Sequence, residues 1–200
     1  MVDALLDSHS EVILLSTTGG NSNGRNNWTS PDVLLLDQYR SSLNYKLSAW
    51  DRLDTETNIW VLAALLFEWL EHLKTPILDK DSITYLVIHS DSLEVALRKL
   101  PTHVCFILEY LVRFVVRLKP IERSSCQDIL RRLLVSLTHQ SIVIQNVSHP
   151  TGKKFPKLRG GTAESTLKFL LKFYDFLNDG ENGEASNPDL HSSYRLQQVR

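Results

Sequence analysis

Cys126 and Arg132 stand six positions apart in "CQDILRR". At that spacing a cysteine thiolate could attack a phosphate ester while an arginine holds the phosphoryl oxygens. The chemistry needs successive backbone N–H groups curled around the phosphate. It also needs the sulfur at a helix N-terminus, where the local field favours the thiolate. Here no histidine precedes the cysteine, no glycine lies between the two residues, and no strand-like run feeds them. The intervening residues read as ordinary helix, so Cys126 is expected to be a helical side chain and not a nucleophile.

The other chemistry-bearing residues are similarly dispersed. "GGNSNGRN" approaches a phosphate-binding loop, with Gly19 and Gly24 suitably separated after the apolar run at 12–15. Arg25 stands where a lysine should reach the phosphates and Asn26 where a magnesium-binding hydroxyl should stand, and no helical pattern follows. A flexible loop is the expectation. His103 and Cys105 lie two apart, but no second pair at ligand spacing joins them, so no metal is expected. Glu68 and Glu71 flank Trp69 and read as paired carboxylates on a solvated rim, and Glu68 with His72 at i, i+4 reads as a surface contact. Lys153, Lys154, Lys157 and Arg159 form a basic loop that reads as a solvated insertion with an acidic partner as the alternative. No catalytic, cofactor-binding or metal site is therefore predicted.

The totals narrow the class further. The 200 residues are 42% apolar and 22% charged, with a net charge of −1. That composition suits a soluble globular protein, and a chain of this length buries roughly 70% of its unfolded surface without staples. A dedicated nucleic-acid binder would show a clear basic surplus. Two cysteines make no disulfide framework and favour a reducing compartment. "MVDALLDSHSEVILLS" carries acidic residues where a signal peptide has basic ones, and the longest apolar run, residues 59–67, is nine residues. That is about half of a membrane span. The sequons at Asn27 and Asn146 are then chance matches, and a cytoplasmic protein without a membrane span is expected.

Helices must position these residues. Residues 1–39 hold the strand-like run at 12–15 and then "TTGGNSNGRNNWTSP", and are expected to be a mobile lead-in. From residue 40, Leu43, Leu47, Trp50 and Leu53 recur at helical steps, predicting a short amphipathic helix with Trp50 on its apolar face. A second helix should start near Asp54 or Thr57 and run to about Lys74, where Pro76 forces Thr75 out of helical geometry. Its apolar set is too wide for one stripe, predicting a central position. Asp81 should cap a short helix carrying Ile83, Leu86 and Val87, and Asp91 with Glu94 should form a capping box for the next. Residues 101–119 should bury Val104, Ile107, Leu108, Leu111, Val115 and Leu118, opposite Glu109, Arg113 and Arg117. Ser125 and Asp128 should cap a further helix, and a last one should present Leu167, Leu170, Leu171, Tyr174 and Leu177. The prediction is an all-α multi-helix bundle over 40–178, with a disordered tail over 179–200.

Two resemblances add to this reading. "SAWDRLDTETNIWVLAALLFEWLEHLKTPILDKDSITYLV" resembles the C-terminal region of the family of protein tyrosine phosphatase domain-containing protein 1. The match is most specific at Trp69-Leu70-Glu71 and Leu73-Lys74-Thr75-Pro76. The family's phosphatase loop lies outside the matched stretch, so the resemblance implies a helical accessory region, in a fragment or in a paralogue without the enzyme. It also implies a place at the centrosome or cilium base. More distantly, "ALLFEWLEHLKTPIL" followed by "LPTHVCFILEYLVRFV" resembles the core of RhoGAP domains, which implies that fold and a small GTPase as partner. The arginine that would stabilise GTP hydrolysis there has no counterpart in a glycine loop; Arg25 and Arg52 are the alternatives.

Overall fold

The computed structural model describes residues 30–118, 122–144, 146–148, 156–158 and 160–181. Eight helices dominate them: α1 (Ser30–Ser42), α2 (Leu47–Asp54), α3 (Ile59–Glu71), α4 (Lys80–Ile88), α5 (Leu93–Lys99), α6 (Thr102–Arg117), α7 (Arg123–Thr138) and α8 (Gly160–Glu181). The predominantly helical class predicted from the hydrophobic spacing is therefore observed. One small sheet departs from it. β1 (Ser141–Ile144) pairs antiparallel with β2 (Asn146–Ser148) and parallel with β3 (Lys157–Leu158), in the order β2-β1-β3. Strands this short carry no readable period, so the sheet escaped the sequence. Its anchor is Ile142, fully buried against the helices.

The main core lies where α8 packs on α6, α4, α7 and β1. On α6, Val104, Leu108, Leu111 and Val115 are buried as predicted, as is Leu118 just past its end, and Ile107 is half-buried. From α8, Leu167, Leu170, Tyr174 and Leu177 enter the same core, while Leu171 packs at its margin. Burying each such side chain stabilises the fold by roughly 1.5–3 kcal/mol. His139 closes α7 in the left-handed region (φ 51°), and its Nε2 lies 2.9 Å from the Leu70 carbonyl oxygen. That contact offsets part of the strain of about 1–2 kcal/mol a non-glycine residue meets there.

Several expected boundaries move. Residues 30–39, assigned to the lead-in, belong to α1, whose Leu36 and Tyr39 are buried against Val61 of α3. The amphipathic helix starting at residue 40 is divided at Ser42 into the end of α1 and all of α2. Trp50 and Leu47 face outward, 52% and 88% exposed, because nothing among the described residues covers that side. Helix α3 stops at Glu71, three residues before Lys74, and the fully buried Leu78 donates its N–H to the Leu137 carbonyl across the following turn. Helix α8 runs three residues beyond Asn178 to Glu181. The expected lead-in over 1–29 and tail over 182–200 lie outside the described residues.

The caps also differ. Asp79, not Asp81, caps α4, its carboxylate accepting from the Ser82 N–H at 2.8 Å. Helix α5 follows Ser92 with no side-chain cap, because Asp91 turns away to Lys168 and Lys172 of α8, at 2.7 and 3.3 Å. Helix α7 follows Glu122, three residues before the expected Ser125.

Candidate functional site

Helices α1 and α3 run in the same sense. The Asn58 amide donates to Asp32 at 2.6 Å near both N-termini, and Arg40 reaches Glu68 near both C-termini, its Nε at 2.8 Å. Asn58 also caps α3, accepting from the N–H groups of Trp60 and Val61. Leu36, Tyr39 and Val61 form a small second core beneath, with Leu35, Leu43, Leu53, Ala64 and Leu65 partly buried around it. Between these helices and α2 a groove remains.

The groove has a volume of about 820 Å³. Its walls are Leu43, Trp50 and Leu53 on one side and Leu62, Leu65, Leu66, Trp69 and Leu73 on the other. Trp50 is fixed by its indole N–H, which donates to the Leu43 carbonyl at 3.0 Å. Trp69 is 59% exposed. Arg40, Asn44, Glu68 and His72 supply the polar lining. These charges compensate one another: Arg40 binds both Glu68 and Asp37, and the Glu68 contact raises its pKa above the ordinary arginine range. The His72 ring bonds the Glu68 backbone carbonyl at 2.7 Å, so the expected i, i+4 contact exists but does not use the carboxylate. No nucleophile stands beside a base here. The lining of the groove is mainly apolar.

The residues first considered for chemistry are not brought together. Cys126 and Arg132 lie six residues apart on α7, roughly 9 Å along the axis. Cys126 is buried, and desolvation pushes its thiol up to about 11, against the smaller pull of Tyr174 and Arg123. Arg132 instead binds Glu71 of α3 at 2.5 Å, both side chains almost wholly buried, with the guanidinium 4.4 Å from the Phe67 ring centroid, so Glu71 leaves the solvated rim expected of it to pair with Arg132 in the core. Cys105 is half-buried and also pushed up to about 11 by desolvation, its thiol donating to the Leu97 carbonyl. No group of three or more metal-ligating residues occurs among the described residues. Arg52 is exposed at the end of α2, over the Tyr39 ring at 5.8 Å. Arg25, the loop at 19–26 and the basic residues Lys153, Lys154 and Arg159 lie outside the described residues; Lys157 is exposed in β3. Among the described residues no helix is long and apolar enough to cross a membrane.

Comparison settles no family. No family model, curated protein or solved structure matches this chain. The groove itself left one trace in the sequence, the apolar set of α3 that exceeds a single stripe. Of that set Leu62, Leu66 and Trp69 line the groove and are only partly covered by packing; Leu65, which also lines it, lies outside the set.

Proposed function

We propose that this chain is a non-catalytic helical protein-interaction module that takes an apolar segment of a protein partner into the groove between α1, α2 and α3. The supporting observation is the pairing of Trp50 and Trp69, each more than half exposed, across an apolar concavity whose charged residues are already mutually bound. Tryptophans in a concave apolar setting carry most of the free energy of many interfaces, and a charge already paired costs less to cover than a lone one. A helix laid into such a groove is a common recognition mode.

The resemblance to the C-terminal region of the protein tyrosine phosphatase domain-containing protein 1 family supports this reading. The module would then be an accessory region of such a phosphatase, in the cytoplasm at the centrosome or cilium base. The likeness to RhoGAP domains extends the proposal to a small GTPase as partner.

The test is a reconstituted complex. Proximity labelling from the full chain would nominate partners, and each would be purified and titrated against wild type and Trp69→Ala. Affinity lost at least tenfold in the variant, with unchanged circular dichroism, supports the groove; equal affinities overturn it. Single-turnover GTP hydrolysis by Rho-type GTPases should be unaccelerated by the chain, and acceleration removed by Arg52→Ala would replace the module with a GTPase activator.

A further inference from the structure

Helix α6 buries Val104, Leu108, Leu111 and Val115 on one face, and the opposite face of such a helix ordinarily holds polar side chains. Here Phe106, Tyr110 and Phe114 hold it, 46%, 77% and 40% exposed. They follow one another every four residues and form a ridge about 12 Å long. His103 and Arg117, both exposed, complete the outward row at its two ends. Aromatic side chains bury about 150–250 Å² each, so at these exposures the three rings leave roughly 300 Å² uncovered. The largest apolar patch on a typical monomer begins at about this size and is often functional. The ridge shares no residue with the groove lined by Trp50 and Trp69.

We propose that the ridge is a homodimer interface, on which a second copy of this chain packs its own α6 antiparallel about a twofold axis at Tyr110.

Charge complementarity selects that occupant. The ridge has unequal edges: helical geometry sets Glu109 and Arg113 along one side and Ile107 along the other. In an antiparallel twofold pair like edges meet, so the charged edge of one copy lies against the charged edge of the other. With Tyr110 on the axis, Phe106 of each copy stands level with Phe114 of the other. Glu109 then lies within about 3 Å, measured along the helix, of Arg113 in the second copy. Within its own helix Arg113 donates twice to Glu109, at 3.0 and 2.9 Å, and both bonds use Oε1. The Oε2 atom can therefore accept from Arg113 of the second copy, closing a ring of four alternating charges. At the ends His103 faces Arg117, where an imidazole nitrogen can accept from a guanidinium. A parallel pair lacks this match, because it sets the charged edge of each helix against the apolar edge of the other.

Area sets the strength. Two ridges supply about 600 Å² of aromatic surface, and their edges bring the total to the small end of specific interfaces, about 1,000 Å². The dimer is accordingly weak, with a Kd of about 10–100 µM.

Sedimentation of the full chain between about 5 and 500 µM, which spans that Kd, should pass from monomer to dimer. Tyr110→Glu should weaken association at least tenfold with unchanged circular dichroism, since most of that ring lies outside the core. Glu109→Arg and Arg113→Glu should each weaken it about tenfold alone, and the two variants mixed should regain wild-type affinity, because each then meets its opposite charge. A chain still monomeric at about 500 µM overturns the proposal, whatever else covers the ridge. Dimerisation that survives Tyr110→Glu overturns it too, and its loss in Trp69→Ala would move self-association to the groove. Charge variants that fail to recover on mixing overturn the antiparallel packing.

Discussion

Glu71 and Arg132 meet at 2.5 Å between α3 and α7, with 1% and 3% of their side chains exposed. The Ser136 hydroxyl completes the arrangement, 2.7 Å from the Glu71 carboxylate and 2.6 Å from the guanidinium. Burial pulls the Arg132 pKa down and Glu71 pulls it back up. A pair so placed contributes little net stability, and any slip of α3 on α7 would strand two charges in the core. Removing one partner by Glu71→Leu or Arg132→Met should cost about 3–5 kcal/mol in urea unfolding. The double variant should recover most of that loss, and a double variant as unstable as the singles would refute the pairing as the cause.

Thiol chemistry follows from burial. With Cys126 and Cys105 pushed up to about 11, the thiolate fraction at pH 8 is roughly one in a thousand for either. Native protein should react slowly with Ellman's reagent at pH 8, and both thiols rapidly in denaturant. Para-nitrophenyl phosphate should not be hydrolysed, and Cys126→Ser should change nothing. A fast native thiol assigned to Cys126 would contradict its buried position.

The same groups set an alkaline limit. Tyr174, beside Cys126, is pushed up to about 12, mainly by desolvation. For an acid whose folded pKa is raised, the unfolded chain loses its proton first, so stability falls as pH rises between the two values. The window for these groups is about pH 9 to 12. Thermal midpoints should decline through it, and Cys126→Ala with Tyr174→Phe should flatten the decline. A decline of equal slope in that variant would place the cause elsewhere.

At the acid end, Asp79 holds the start of α4. Hydrogen bonding from the Ser82 N–H lowers its pKa, so its contribution is present above the ordinary carboxylate range and is lost as pH falls through the lowered value. Asp79→Ala should cost about 1 kcal/mol at pH 7, and the difference from wild type should shrink below about pH 4. Asp81→Ala, tested beside it, should cost less. The reverse order would restore Asp81 as the cap.

These two aspartates show what the sequence carried and what it could not. Helices were legible wherever a long stripe met a core, as at Val104, Leu108, Leu111 and Val115 of α6. Caps were not, because a carboxylate chooses among partners by geometry. Asp91 is taken by Lys168 and Lys172, 77 and 81 residues away, a competition that local spacing cannot show. The sheet was lost for a related reason: Ser141 pairs with Lys157 across the chain, and two or three residues have no period. The groove was half legible. Hydrophobic width marked α3 as touching more than one neighbour, but whether a neighbour covers Trp69 depends on where α2 comes to rest.

Adjacent residues on α3 allow that distinction to be measured. Leu70 is 1% exposed and lies in the main core; Trp69, next to it, is 59% exposed on the groove wall. Leu70→Ala leaves a cavity and should cost about 2–5 kcal/mol. Trp69→Ala removes a larger side chain from a site without dense packing, and should change stability by about 0.5 kcal/mol or less. If the groove serves only the fold, the tryptophan should cost as much as its size suggests. If it serves a partner, the cost should move from unfolding into binding. Urea melts of the two variants, read beside the partner titration, decide between a wall that holds the molecule together and one that holds something else.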